Sequence, residues 1–260
     1  MLKCRVIPVL SFNGFALVKT KMFADNARMV GNAVQVAKVY NSRNVDELVF
    51  LDIYASDKKR KINLQMAKLI INECFMPVAL GGGIKTVNDI KDLLAIGADK
   101  VVLKNIIIED PEFINIASEI YGNQCITLAI DAIKKEDGKY YLYNRLGKEI
   151  LLFEFLKKIN KYNFGEIILT SVNNDGMMNG FDIELVSKVE KIINVPIVVS
   201  GGGGEPDHFK ELFSKTNIEA VAAASIFHFT RFTPRDLKLA IKSVGRPVRI
   251  IKEPFIPHNN

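Results

Sequence analysis

The 260-residue chain nearly repeats itself after half its length. VIPVLS early in the chain is answered by ITLAID, DELVFLDI by FGEIILTS, MPVALGGG by VPIVVSGG, and KVVLKN by AVAAAS. Ser11 and Asp131 stand 120 positions apart, as do Gly82 and Gly202, and Asn105 and Ser225, while Asp52 and Ser171 stand 119 apart. Each unit is a short apolar run that ends on a small or polar residue. A run that is apolar at nearly every position suits a strand buried on both faces, as in a parallel sheet. Two halves of four such strands, with helical segments between them, predict a (β/α)₈ TIM barrel built from two half-barrel repeats. The expected organisation is one domain over residues 1–260, with half-barrels at about 1–120 and 121–245. In a barrel of this kind the C-terminal strand ends share one rim, and that rim carries the active site.

Eight strands are expected: Val6–Leu10, Glu47–Ile53, Pro77–Leu80, Lys100–Leu103, Cys125–Ile130, Glu166–Thr170, Pro196–Ser200 and Ala220–Ala224. Helix starts are signalled between them. Thr86 with Asp89 has the spacing of a capping box, and Asp110-Pro111 and Thr233-Pro234 set a capping side chain before a proline. Gly97 and Gly122 stand where helix C-caps belong. Two segments read as long loops, Ser11 to about Met29 and Ala132–Ile150; the second holds Asp137-Gly138 between alternating residues, a hairpin signal.

Composition narrows the function classes. No apolar run is long enough to span a membrane, and RVIPVL is too short for a signal peptide, so cytoplasmic placement without a membrane partner is expected. Cys4, Cys74 and Cys125 lie in or beside apolar runs and read as buried small hydrophobes, not as disulfides or metal ligands. No cofactor and no metal are expected. The net charge of +6 comes from dispersed lysines without an aromatic–basic stripe, which argues against nucleic acid and suits an anionic small-molecule ligand.

The polar residues at strand C-termini are Ser11, Asp52, Lys104, Asn105, Asp131, Ser171, Asp175 and Ser225. Asp131 follows the apolar run ITLAI directly and is a candidate general acid or base; a plain loop-capping aspartate is the equal alternative. Its counterpart in the other half is Ser11, whose hydroxyl cannot act as a base near neutral pH without help. Gly81-Gly82-Gly83 and Gly201-Gly202-Gly203-Gly204 each end a strand, where backbone N–H groups can approach an anion. Gly202, Ala224 and Ser225, with Asp175 and Gly176, suit one phosphate site, and Gly83, Lys104 and Asn105 a second. Lys104 is expected either to face an anion or to pair with Asp52 and close the pocket. At the opposite end, Arg5, Glu47, Lys100 and Glu166 sit at strand starts, where alternating charges would ring the axis. Ordinary salt bridging explains such a ring unless other information intervenes.

ELVFLDIYAS, LGGGI, GADKVV, AIDA, GEIILTS, the DG followed by GFD, SGGGG and AAASIFHF together resemble the cyclase subunit of imidazole glycerol phosphate synthase, over essentially the whole chain. The resemblance implies a half-barrel duplication that receives ammonia from a glutaminase partner docked on the N-terminal face. The ammonia would pass a charged gate and travel through the barrel to a bis-phosphorylated ribonucleotide held between two aspartates. It assigns Asp131 to the strand-five aspartate and Arg5, Glu47, Lys100 and Glu166 to the gate. Asp175, Gly176, Gly202, Ala224 and Ser225 would form one phosphate site, Gly83 part of the other, and Lys19 the loop-one lysine. Three departures stand out. Ser11 occupies the place of the first aspartate, Lys104-Asn105 replaces an Asn-Thr pair, and loop one reads NGFALVKTKMF. VLSFNGFALVKT and ECFMPVALGGGIKT resemble a divergent branch that works with a glutaminase-like protein and a separate sugar amidotransferase to place acetamidino groups on surface sugars.

Three functions follow as expectations. The first is an ammonia-receiving subunit in acetamidino modification of a surface-polysaccharide sugar, which explains an intact ring beside a broken aspartate pair. The second is a cyclase subunit of histidine biosynthesis that tolerates Ser11, although losing a general acid or base costs roughly 10²–10⁴ in rate. The third is a non-catalytic scaffold that activates a glutaminase.

Overall fold

The computed structural model describes residues 2–250; the domain expected over 1–260 runs past the described residues at both ends. Eleven strands form among the described residues: β1 Arg5–Phe12, β2 Leu17–Lys19, β3 Arg28–Gly31, β4 Leu48–Asp52, β5 Val78–Gly81, β6 Lys100–Leu103, β7 Ile126–Lys134, β8 Tyr140–Leu142, β9 Glu166–Ser171, β10 Ile197–Ser200 and β11 Ala220–Ala223. Strands β1, β4, β5, β6, β7, β9, β10 and β11 pair in parallel in that order, and β11 pairs back onto β1. The sheet therefore closes into the eight-stranded barrel that the repeat predicts. A main helix follows each barrel strand, in order Ala33–Ser42, Leu64–Asn72, Val87–Ala95, Phe113–Tyr121, Leu152–Ile159, Ile183–Val189, Pro206–Lys215 and Pro234–Ser243.

Strand alternation sorts the side chains into two layers. Residues such as Val6, Leu10, Leu48, Phe50, Leu80 and Val101 point outward and pack under the helices in one large apolar cluster. Residues Ile7, Val49, Ala79, Val102, Ile168, Val198, Ala220 and Ala222 point inward and fill the barrel, with Val9, Leu51 and Ala129 against them. Because both faces are buried, the strands read as unbroken apolar runs.

The helix signals at Thr86, Thr233, Gly97 and Gly122 hold in detail. Thr86 and Thr233 each accept from the third helical N–H, and Asp89 and Asp236 answer the cap backbone. Gly97 and Gly122 have φ of 105° and 86° at their helix ends. Asp110 behaves differently: its carboxylate accepts from the Glu112 N–H, but Pro111 lies in a turn and the helix begins at Phe113. Of the cysteines, all free, only Cys4 is fully buried.

Each long loop carries a short antiparallel ribbon. β1 extends to Phe12, and β2 and β3 add an antiparallel ribbon to its end. The turn works because the Asn13 side chain accepts from the Phe15 and Ala16 N–H groups, and Gly14 takes φ of 98°. The Asp137-Gly138 hairpin forms as expected, with the end of β7 pairing β8.

Candidate active site at the barrel mouth

The inward-facing positions of each strand run from one end of the barrel to the other in steps of two. On β1 these are Arg5, Ile7, Val9 and Ser11; on β6 and its exit, Lys100, Val102 and Lys104; on β7, Thr127, Ala129 and Asp131; on β9, Glu166, Ile168 and Thr170. The same alternation thus connects charged residues at the N-terminal end, an apolar waist, and polar residues at the mouth.

At the N-terminal end, Arg5 and Lys100 alternate with Glu47 and Glu166. Arg5 donates to Glu47 Oε2 at 2.6 Å and to Glu166 Oε2 at 2.7 Å. Lys100 Nζ donates to Glu47 Oε1 at 2.9 Å and Glu166 Oε1 at 2.7 Å. The result is a closed, charge-balanced ring of four side chains. Burial pushes the Glu166 carboxyl up, but Arg5 and Lys100 outweigh burial and hold it below the usual range. Burial works against the Arg5 charge, and Glu166 and Glu47 outweigh it in turn. Thr127, which the sequence reading did not single out, is fully buried and donates its hydroxyl to Glu166 Oε1 at 3.3 Å.

At the C-terminal end a single cavity is lined by Ser11, Lys19, Gly82, Gly83, Lys104, Asn105, Asp131, Asp175, Gly176, Gly202, Ala224 and Ser225. Of the polar strand ends expected at the mouth, Ser171 does not line it: it falls one position off the inward series of β9, and its hydroxyl donates to Asn174 Oδ1 at 3.1 Å. Its floor is Val9, Leu51, Val102, Ala129, Ile168 and Ala222, the inward residues above the ring. The four carboxylates that line it are all paired with cations. Lys104 Nζ lies 2.5 Å from Asp131 Oδ2 and Lys19 Nζ 2.5 Å from Asp175 Oδ2. Arg60 grips both oxygens of Asp52, and Arg145 meets Asp57. The expected pairing of Lys104 with Asp52 is therefore corrected. The loop after β4 brings Arg60 back onto Asp52, which leaves Lys104 to Asp131. Arg60 and Arg145 carry no strand-end signal and were not singled out from the sequence; only the loop paths bring them in. Burial raises the Asp175 carboxyl above the ordinary carboxylate range despite Lys19, and the neighbouring charge of Asp131 acts in the same direction.

The glycines at the mouth are required by packing as well as by any anion. Gly202 has φ of 114°, and a Cβ there would lie 2.0 Å from the Gly180 carbonyl oxygen. Gly82 has φ of 125°, and its Cβ would lie 2.5 Å from the Asp52 carbonyl oxygen. On the same wall as Gly202, the Ser225 hydroxyl is buried and has no hydrogen-bond partner among the described residues. An unpartnered buried hydroxyl lining a polar mouth suits an oxygen-rich ligand. Ser225 and Asn105 each open a five-residue helix, at Ser225–Phe229 and Asn105–Glu109, so both walls present helix-start N–H groups. Among the described residues no group of three or more His, Cys, Asp or Glu is placed to hold a metal, and no helix is long and apolar enough to cross a membrane.

Residues 5–233 match the histidine biosynthesis protein family. An imidazole glycerol phosphate synthase subunit HisF of Staphylococcus saprophyticus is 39% identical over 253 residues, covering 96% of this chain and all of the relative. The protein of the same name from Clostridium botulinum strain Okra is 38% identical over 254 residues, with the same coverage. That of Thermococcus onnurineus is 39% identical over 254 residues, covering 96% of this chain and 99% of its own. The chain belongs to the histidine biosynthesis protein family.

Proposed function

We propose that this member of the family is the barrel subunit of a glutamine-dependent complex, taking ammonia at its N-terminal end and holding a phosphorylated ligand at its mouth. The observation that carries this reading is the ring of Arg5, Glu47, Lys100 and Glu166, set on the same inward strand positions that end in the mouth cavity. Ammonia released into water near neutral pH is protonated and ceases to be a nucleophile. A glutaminase docked over the ring, with an apolar waist behind it, keeps the ammonia neutral on its way to the mouth. The relatives' name supports the cyclase subunit of imidazole glycerol phosphate synthase over the sugar-directed acetamidino reading, which draws no support from them.

In the cyclase reading, Asp131 serves as general acid or base. The glycine-rich strand ends, with Ser225 and Asn105, hold the two phosphates of a ribonucleotide, and Lys19 lies within the loop-one ribbon above them. A separate observation favours a second reading: Ser11 occupies the position where the resemblance calls for an aspartate. In that reading the barrel delivers ammonia to an acceptor on another protein, such as a sugar amidotransferase, and its own cyclase step is weak or lost.

The test is reconstitution of the full chain with a candidate glutaminase partner, glutamine and the bis-phosphorylated ribonucleotide. Cyclised product formed from glutamine as well as from free ammonia supports the cyclase reading. Glutamine hydrolysis stimulated by the chain without cyclised product supports delivery to another acceptor. If no candidate glutaminase binds or is stimulated, the ammonia reading fails. Lys100→Met should spare docking and uncouple glutamine use from transfer; equal transfer by this variant would move the conduit away from the ring.

A further inference from the structure

Lys104 is held more tightly than a surface lysine at a strand end needs to be. Its ammonium is 2.5 Å from Asp131 Oδ2, and it lies 5.5 Å from the centre of the Phe23 ring and 5.6 Å from that of Tyr143. The two rings meet edge to face at 5.3 Å. Phe23 reaches this position only with φ of 59°, a left-handed conformation that is unusual for a bulky residue. Observed backbone strain of this kind at a mouth is a pointer to function. The lysine also sits just before Asn105, whose N–H begins the short helix on the wall opposite Ser225.

We propose that Lys104 is an exchangeable counter-ion, paired with Asp131 before a ligand binds and transferred to the phosphate group of the bound ligand, which frees the Asp131 carboxylate to act on that ligand. The inference rests on the reading of the mouth as a phosphate-ester site. The chemistry is competitive. An ammonium within hydrogen-bond reach of a carboxylate and of an incoming phosphate dianion follows the higher charge. The Asp131 side chain is 8% exposed and that of Lys104 36% exposed, so the lysine is the partner with room to move. The aromatic rings keep its cation stabilised while it changes partners. The other carboxylates of the mouth have cations of their own, so Asp131 is the one whose counter-ion faces the Asn105 wall.

The exchange makes a counterintuitive prediction about anion affinity, read by calorimetric titration of sulfate into the purified full chain. Removing the competing carboxylate with Asp131→Asn should tighten sulfate binding about tenfold, the worth of one charge-assisted hydrogen bond. Lys104→Met should weaken it by a similar factor. In the double variant, Asp131→Asn should no longer tighten binding. Lys104→Gln, checked for folding by thermal unfolding, replaces Lys104→Met if the latter is unstable. If Asp131→Asn tightens sulfate equally with and without Lys104, the gain is general electrostatics and the exchange is refuted. It is also refuted if Asp131→Asn leaves affinity unchanged, or if neither the wild type nor Asp131→Asn binds sulfate. Ribose 5-phosphate should give the same cycle; its absence there would place the ester phosphate elsewhere and overturn the assignment. None of these titrations needs ammonia or a glutaminase, so their failure leaves the conduit standing, and failure of the conduit leaves them standing.

Discussion

Replacing Lys100 with methionine tests whether the ring of Arg5, Glu47, Lys100 and Glu166 holds charge in a dry place or merely decorates the barrel end. The lysine makes contacts of 2.9 and 3.0 Å to Glu47 and 2.7 Å to Glu166, whose side chains are only 4% and 7% exposed. Taking one partner from a buried pair costs roughly 3–5 kcal/mol because a charge is left uncompensated. Here Arg5 still bridges both glutamates, which lowers the expected cost to about 2–3 kcal/mol. The pH dependence sharpens the test. In the folded chain Glu166 is held below its ordinary value of 4.5. Its contribution to stability is therefore fully present above the unfolded value and is lost as pH falls through the folded one. The variant lacks part of this contribution, so the gap between wild type and Lys100→Met should be widest near neutral pH and shrink as pH falls below about 4.5. Urea unfolding at several pH values measures both quantities, provided the slopes agree between the two proteins. A neutral-pH gap below about 0.5 kcal/mol, the size of an exposed surface change, would show that the ring is solvated. A gap that stays constant through the carboxylate range would show that Lys100 does not hold Glu166.

Other outcomes follow from individual sites. Thr86→Ala removes one half of a capping box and should cost about 1 kcal/mol in urea unfolding, against a few tenths for Thr86→Gly. His228 is buried, and burial followed by the charge of Lys19 brings its pKa down to about 4. The unfolded chain binds that proton first, so wild type should lose stability relative to His228→Phe as pH drops from about 6.5 to about 4, by at most about 3 kcal/mol; a relative stability that rises over this range would overturn the assignment. Wild type is expected to cyclise the bis-phosphorylated ribonucleotide weakly with free ammonia, and Ser11→Asp to recover little, because Lys104 already pairs with Asp131, the carboxylate across the mouth. Turnover within tenfold of an authentic cyclase would refute this.

Much of the molecule was legible because a barrel imposes its period on the sequence. Strands buried on both faces must be apolar throughout, so eight short runs with polar ends announce both the strands and the rim. What the runs conceal is which way each residue points. Thr127 reads as part of an apolar run, and only the closed sheet shows that it faces inward, under Asp131 and beside Glu166. The loops were less legible for a different reason. The ribbon of β2 and β3, three and four residues long, is too short to stand out, and its pairing depends on the extension of β1 past Ser11. Arg60 and Arg145 reach the mouth through turns with no periodicity, so their pairing with Asp52 and Asp57 could not be read from spacing.

The two half-barrels share a backbone plan but have diverged in chemistry, and the divergence follows a pattern. Where the second half keeps a carboxylate at Asp131, the first has the neutral Ser11. Where the first half carries a cation at Lys104, the second has Ala224. The added cation pairs with the surviving carboxylate across the strand-four and strand-five ends, so the mouth loses one negative charge and has another masked. Both changes favour an anionic occupant and disfavour unassisted base catalysis. On the opposite wall, Ser225 and the glycine-rich turn offer neutral donors beside a cation, Lys19, that is already paired with the buried Asp175. A ligand carrying phosphate at both ends would therefore meet a half-exposed cation at one wall and, at the other, neutral hydrogen-bond donors beside an ion pair already closed on itself. Affinity should then depend more strongly on salt at the Lys104 wall than at the Ser225 wall. Comparing the salt dependence of sulfate binding in Lys104→Met and Ser225→Ala separates the two: the first should flatten it and the second leave it steep. Equal slopes would mean that the charge of Lys104 never reaches the anion.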